Sequence, residues 1–208
     1  CSSDLVATLS PGQSNLSLRV SDGETHWVVR LDRVQPGSLG LSREQEFCAL
    51  QRAAAQQLAP QPVYQSLALG ALVCRYLPPD VDQRHTPQQL AGLLRHIHAL
   101  PLLNARLDPR ARGQRYLALC GGKTLPGPLR RACDRLEALP TQPVLCHNDL
   151  LTANRVVSGG QLWALDWEYA ATGDPWFDLA VIIEGEALQD RDAETLVRCW
   201  LARAPRDD

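Results

Sequence analysis

Between Cys146 and Val157 the chain reads CHNDLLTANRVV. A histidine, an aspartate and two asparagines lie between PVL and RVV, two short apolar runs with the character of strands. So much hydrogen-bonding capacity at the edge of a core costs stability unless every group finds a partner or a task. Asp149 taken alone would read as a loop aspartate closing an Asx-turn. Its spacing to Asn154, and the later LDWEYA at 165–170, give it a second meaning.

The surrounding chain divides into two parts. LVATLS, SLRV and HWVVRLD in the first third are short strand-like runs separated by the turn-rich PGQSN and SDGET. Ser42 with Gln45 three residues on is a helix-start pattern, with Phe47, Leu50 and Ala54 on one face. PQPVYQ then breaks the helix, and SLALGALVCRYLPP supplies two more strand pieces around a glycine turn. This composes a sheet of about five strands with one helix inserted after the third. From Pro79 the character becomes helical: TPQQLAGLLRHIHAL starts on a proline, and PLRRACDRLEAL carries Leu129, Ala132, Leu136 and Leu139 at one-face spacing. Two strands around Ser-Gly-Gly follow, and AETLVRCWLARA closes as helix. The fold class expected is α+β, a small β-rich lobe joined to a mainly helical one.

Bulk properties remove several function classes. The chain has 208 residues, 45% of them apolar, enough for one domain or two small lobes with a real core. A net charge of −2 without a basic stripe argues against a nucleic-acid partner. The 7 cysteines, at irregular spacing and without CxxC or zinc-ligand pairs, read as reduced thiols of a cytoplasmic protein. No apolar run approaches the ~20 residues of a membrane span, and the first ten residues lack a signal-peptide pattern. The sequence contains no methionine, position 1 included.

H-N-D-x-x-x-x-N from His147, then L-x-x-L-D-W-E-Y-A, then G-D-P-x-F-D-L-A, resembles the aminoglycoside phosphotransferase and choline kinase superfamily, whose fold is protein-kinase-like. The resemblance is dense over Leu145 to Ala180 and is supported by element order from Leu5 to Pro78. It implies a nucleotide-binding lobe over 1–77, a hinge near 74–78, and a catalytic and substrate-binding lobe over 78–208. It also implies ATP and Mg2+ as cofactors. Phosphoryl transfer needs a carboxylate at the attacking hydroxyl, oxygen ligands for magnesium, a cation on the phosphates and a covering loop.

By that resemblance Asp149 is the catalytic base, and Asn154 and Asp166 are the metal ligands. His147 and Asp178 are structural supports of the loop. Arg30 stands where many members have lysine, with Glu44 as its expected partner and Glu46 as second choice. Glu44 has a plain competing role, because acids in a first helical turn oppose the helix dipole. Gly12, Ser14 and Asn15 would meet phosphate, and Cys74 and Tyr76 belong to the hinge that meets adenine.

DWEYA is the variant associated with choline, ethanolamine and thiamine kinase-like members. A quaternary ammonium is held by aromatic faces and nearby carboxylates. Tyr169, Glu168 and Trp167 are therefore the substrate candidates, with Trp176 and Trp200 as further walls. A small cationic alcohol ranks first as acceptor. An amino sugar ranks second, on the acidic run Glu184, Glu186, Asp190, Asp192 and Glu194, although such runs are usually a solvated helix face. A kinase-like binding module without catalysis is the third reading.

Overall fold

Alternating apolar residues in the first third build an antiparallel sheet in a computed structural model, which describes residues 4–10, 15–34, 36–140 and 142–202. Its strands are β1 (Asp4–Ser10), β2 (Asn15–Ser21), β3 (His26–Asp32), β4 (Pro62–Ser66) and β5 (Ala71–Arg75), in the order β1-β2-β3-β5-β4. Arg30 lies on the central strand β3, opposite Ser17 of β2 and Leu72 of β5. Helix α1 (Arg43–Ala55) follows β3, and Ser42 caps it by accepting from the Gln45 amide at 3.3 Å.

The fourth strand lies earlier than the sequence suggests, in PVYQS, and Leu67–Gly70 forms the turn to β5. Gly70 is at φ +56°, and a Cβ there would stand 3.0 Å from the Asp32 side chain. Glycine is what lets this turn pass so close to β3.

The helical part comprises α2 (Pro87–His98), α3 (Pro109–Leu119), α4 (Gly127–Glu137), α5 (Pro175–Gly185) and α6 (Asp190–Leu201). Two small antiparallel pairs complete it, β6 (Val144–Cys146) with β9 (Ala171–Gly173) and β7 (Arg155–Ser158) with β8 (Gln161–Ala164). α2 opens on a full capping box between Thr86 and Gln89 and buries Leu90, Ala91, Leu93, Leu94 and Ile97. Truncating Leu94, which has no exposed surface, to alanine would cost about 3 kcal/mol. The apolar stripe expected on α4 finds no such partner. Leu129, Leu136 and Leu139 are exposed, and α4 buries no residue.

One buried cluster runs through both lobes: Ala49, Leu50 and Ala53 of α1 and Leu72 of β5 join Leu94, Leu145, Trp167 and Ile182. The inserted helix is thereby packed directly against the segment that carries Asp166. The link between the lobes is fixed at its far end by Asp80. Its carboxylate accepts from the amides of Gly159 and Gly160 at 3.0 and 2.8 Å, and Ser158 donates to Pro78 O at 2.7 Å. Among the described residues no helix is long and apolar enough to cross a membrane.

Candidate active site

The loop after β6 is held by side chains, because a segment without ladder neighbours must satisfy its backbone some other way. Asp178, in the first turn of α5, is fully buried and accepts from His147 N at 2.9 Å and Asn148 N at 2.6 Å. His98 Nε2 is 3.0 Å from the same carboxylate, while Trp200 Nε1 lies 3.0 Å from His98 Nδ1. The indole is a donor only, so Nδ1 accepts and the Nε2–H points at Asp178. The His98 tautomer is set by its neighbours.

His147 works by the same logic. Its Nε2 lies 2.9 Å from Leu165 O, and its Nδ1 accepts from the Asp149 amide at 3.3 Å. One imidazole thus ties the residue before Asp166 to the backbone of Asp149. Complete burial pushes its pKa down to about 4, so it stays neutral and keeps that acceptor. Asn148 and Asp166 both adopt positive φ, +66° and +56°. Asn and Asp tolerate this region better than other non-glycine residues. The Asn148 turn is held by its side-chain amide donating to Tyr169 O at 2.9 Å.

Asn154 donates to the Asp149 backbone carbonyl at 2.9 Å and to Asp149 Oδ2 at 2.7 Å. That spends its nitrogen and leaves its amide oxygen as a hard ligand. Burial raises the Asp149 pKa, although the Asn154 hydrogen bond opposes the shift. Arg30 pairs with Asp166 at 2.9 Å and with Glu46 at 2.5 Å. Burial opposes the charge on Arg30, yet Glu46 and Asp166 together outweigh it and raise its pKa. Its Nε is buried without an acceptor among the described residues.

Burial also pushes Asp166 up to about 6 against the pull of Arg30, with Glu168, Glu46 and Asp149 adding to the rise. A third of its side chain (34%) remains open. A cation arriving there would favour the carboxylate form. Asp32, Glu46, Asp166 and Glu168 contact Arg30 and Arg43, four formal negative charges against two positive. The excess of two, beside the oxygens of Asn154 and Asp166, suits a divalent cation.

Arg30, Glu46, Asn154 and Asp166 share the wall of a cavity of about 450 Å³. Val28, Leu72, Cys74, Leu77, Val156 and Trp167 give it an apolar interior. This size and mixture suit a planar base with a charged tail. Burial pushes the Cys74 thiol up to about 12, so it lines the cavity as a neutral group.

Several expected residues stand elsewhere. Glu44 is exposed and accepts from Ser42 Oγ at 2.9 Å, so the carboxylate on Arg30 is Glu46. Gly12 and Ser14 lie outside the described residues. Asn15 is buried and bonds to Glu168 and Arg43, although it also borders the cavity. Tyr76 does line the cavity, with Arg19 over its ring at 4.5 Å. The amides of Arg75 and Tyr76 are already bonded to Gln61 O and His26 O.

Trp167 is 1% exposed, lies tilted against His147 at 4.8 Å and faces the cavity, not a separate acceptor site. Glu168 is buried between Asn15 and Arg43. Trp176 and Trp200 contact each other at 5.3 Å, and Trp200 backs His98 behind Asp178. Of the proposed aromatic cage, Tyr169 alone keeps a half-buried ring beside the loop, with the Arg112 guanidinium over it at 5.1 Å. Arg43 was not foreseen. A cation at the first position of α1 works against the helix dipole, a signal that it serves something else.

The profile of the phosphotransferase enzyme family (APH) matches residues 6–207, and the chain belongs to that family. It is 40% identical over 55 residues to protein LicA of Haemophilus influenzae strain Rd, a match covering 26% of this chain and 21% of that protein. The match thus spans about a fifth of this curated relative. The fold is similar to that of choline kinase LicA from Streptococcus pneumoniae, with a TM-score of 0.78 at 20% identity over 97% of this chain and 75% of that one. It is also similar to a LicA structure in complex with AMP, with a TM-score of 0.74 at 19% identity, covering 96% and 75%. These neighbours share the protein-kinase-like α+β fold, with the β-rich lobe first and the helical lobe after it.

Proposed function

We propose that this phosphotransferase-family chain transfers the γ-phosphate of ATP to the hydroxyl of a small cationic alcohol, in the class of choline, ethanolamine or thiamine. The observation that carries the reading is the convergence at Asn154. It lines the cavity beside Arg30 and Asp166 and at the same time holds Asp149 through two hydrogen bonds. The AMP-bound LicA structure supports a nucleotide in this cavity.

In this reading residues 1–77 and 78–208 form the two lobes, with the hinge at 74–78. The adenine edge meets the hinge at Leu77, because the preceding two amides are spent. Arg30 leans on the phosphates through its fork of donors, as an arginine can where a lysine offers a point charge. Asn154 and Asp166 hold Mg2+, which when bound neutralises developing charge on the phosphates. Asp149, its proton affinity raised by burial, accepts or orients the acceptor hydroxyl. Positioning and charge neutralisation do most of the work in such a reaction.

For the acceptor, the support is the likeness to LicA, named a choline kinase in the Streptococcus pneumoniae structure, and the Tyr169 ring, which already takes the Arg112 guanidinium as a cation. For the amino-sugar alternative, Glu186 is taken up by Arg155, while Glu184, Asp190, Asp192 and Glu194 remain exposed on α5 and α6. ADP release measured with choline, ethanolamine, thiamine and kanamycin-type sugars under Mg·ATP tests the ranking. At least tenfold higher kcat/KM for one of the small cationic alcohols is expected. Equal rates or the reverse order overturn the acceptor class, and nucleotide binding without turnover on any acceptor supports a binding module instead.

A further inference from the structure

The Arg30–Glu46 pair accounts for one connection between α1 and the nucleotide site. A second runs through Arg43. A guanidinium has five N–H donors, and here each is used. Nε donates to Asp32 Oδ2 at 3.3 Å. Nη1 donates to Glu46 Oε2 at 2.7 Å and Glu168 Oε2 at 3.0 Å. Nη2 donates to Asn15 Oδ1 at 3.0 Å and Asp32 Oδ1 at 2.7 Å. Asn15 returns to Glu168 with its own amide at 2.9 Å, closing a ring.

The partners come from β2, β3 and α1 on one side and from the turn at Trp167–Tyr169 on the other. The Arg43 side chain is 10% exposed and that of Glu168 4%. Charges so far from water persist when paired and hydrogen-bonded, and removing one partner strands the other.

We propose that Arg43 and Glu168 form an interlobe latch that positions Asp166 for the metal, so that Glu168 acts as an anchor on the β-rich lobe and not as a metal or acceptor contact. The proposal rests on the kinase reading above. Asp166 and Glu168 flank Trp167, and each is gripped by an arginine of the β-rich lobe, Arg30 on one and Arg43 on the other. Glu46 joins the two arginines. With one end of this short turn tied to β3 and the other to α1, and Glu46 of α1 contacting both arginines, its shape depends on how α1 docks against β3. Lysine cannot replace Arg43, because three donors on one nitrogen cannot span Asp32, Asn15, Glu46 and Glu168 together.

The test uses the full chain, with Glu168→Gln (isosteric and neutral), Arg43→Lys and the double variant. Mg·ATP binding by calorimetry, steady-state kinetics, and hydrogen exchange of the 166–170 amides without nucleotide are measured together. In each single variant, about tenfold weaker Mg·ATP binding and a matching rise in KM for Mg·ATP are expected. The expected change in kcat is under about threefold, with exchange at 166–170 faster by about tenfold. The double variant should be no worse than the weaker single by more than about twofold, since both variants break the Arg43–Glu168 contact.

Unchanged KM and exchange in Glu168→Gln, or losses that multiply in the double variant, overturn the latch. A large fall in kcat at unchanged KM overturns it too, by making Glu168 a direct participant. If Arg43→Lys fails to fold, Glu168→Gln decides alone. If the unaltered chain binds no Mg·ATP, the kinase reading itself fails, while the exchange measurement still reports on the latch.

Discussion

The sheet of the first lobe and the loop after β6 solve the same problem by opposite means. β3, with neighbours on both sides, keeps its shape through ladder hydrogen bonds that any side chain would permit, so Arg30 needs only to be the right residue at the right register. The loop from His147 to Asn154 has a strand of three residues behind it and holds its shape with His147, Asn148, Asn154, Asp178 and, one layer out, His98. Side-chain identity is interchangeable over much of the sheet. In the loop it is the structure. A substitution in the sheet should alter what the site contacts, while one in the loop should alter where the site is.

The sharpest test of this contrast is Asp149→Asn. It keeps size and removes the proposed base, so phosphoryl transfer should fall by about a thousandfold with an unchanged unfolding midpoint. Unaltered ADP release would end the catalytic assignment. Next, Asp178→Ala strips an acceptor from two backbone amides and from His98 without touching substrate. A loss on the order of 4 kcal/mol in urea unfolding is expected. A loss under about 1 kcal/mol would mean the loop is not held from below.

The third test is a pH dependence. His147 has a folded pKa near 4 against the ordinary 6.5, so between those values the unfolded chain binds the extra proton. Stability is therefore full above about 6.5 and is lost as pH falls toward 4, by an amount on the order of 3 kcal/mol. His147→Gln should flatten this limb of the stability curve. The smallest effect belongs to Arg84→Ala: the Arg84–Asp82 pair lies on the surface, and neither melting point nor turnover should change measurably.

Sequence reading reached the arrangement of the β-rich lobe because alternation and turn residues report it directly. That His147, Asp149, Asn154, Asp166 and Asp178 belong to one neighbourhood was legible through the family resemblance, whose motifs hold all five within 32 residues. The choice between Glu44 and Glu46 was not. Both sit in one helical turn, and a side chain's direction there depends on the helical phase and on what α1 packs against. Trp167 and Glu168 were misplaced for a related reason. The left-handed backbone at Asp166 turns the following residues inward, and nothing in DWEYA announces that reversal. On α4, periodicity identified a face and could not say whether anything would cover it. Arg43 belongs to the same group, since its five contacts come from four separate elements.

The Asp80 carboxylate, seated on the two glycine amides of the β7–β8 turn, has a consequence for movement. From Pro78 onward the connecting strap is bonded to the helical half, and up to Tyr76 it is bonded to the sheet. Only Leu77 stands between the Tyr76 amide, bonded to His26 O of the sheet, and the Pro78 carbonyl, bonded to Ser158 of the helical half. Were the two halves to rotate, so narrow a crease would confine the swing, and α1 could withdraw little before its grip on the turn at Trp167–Tyr169 was lost.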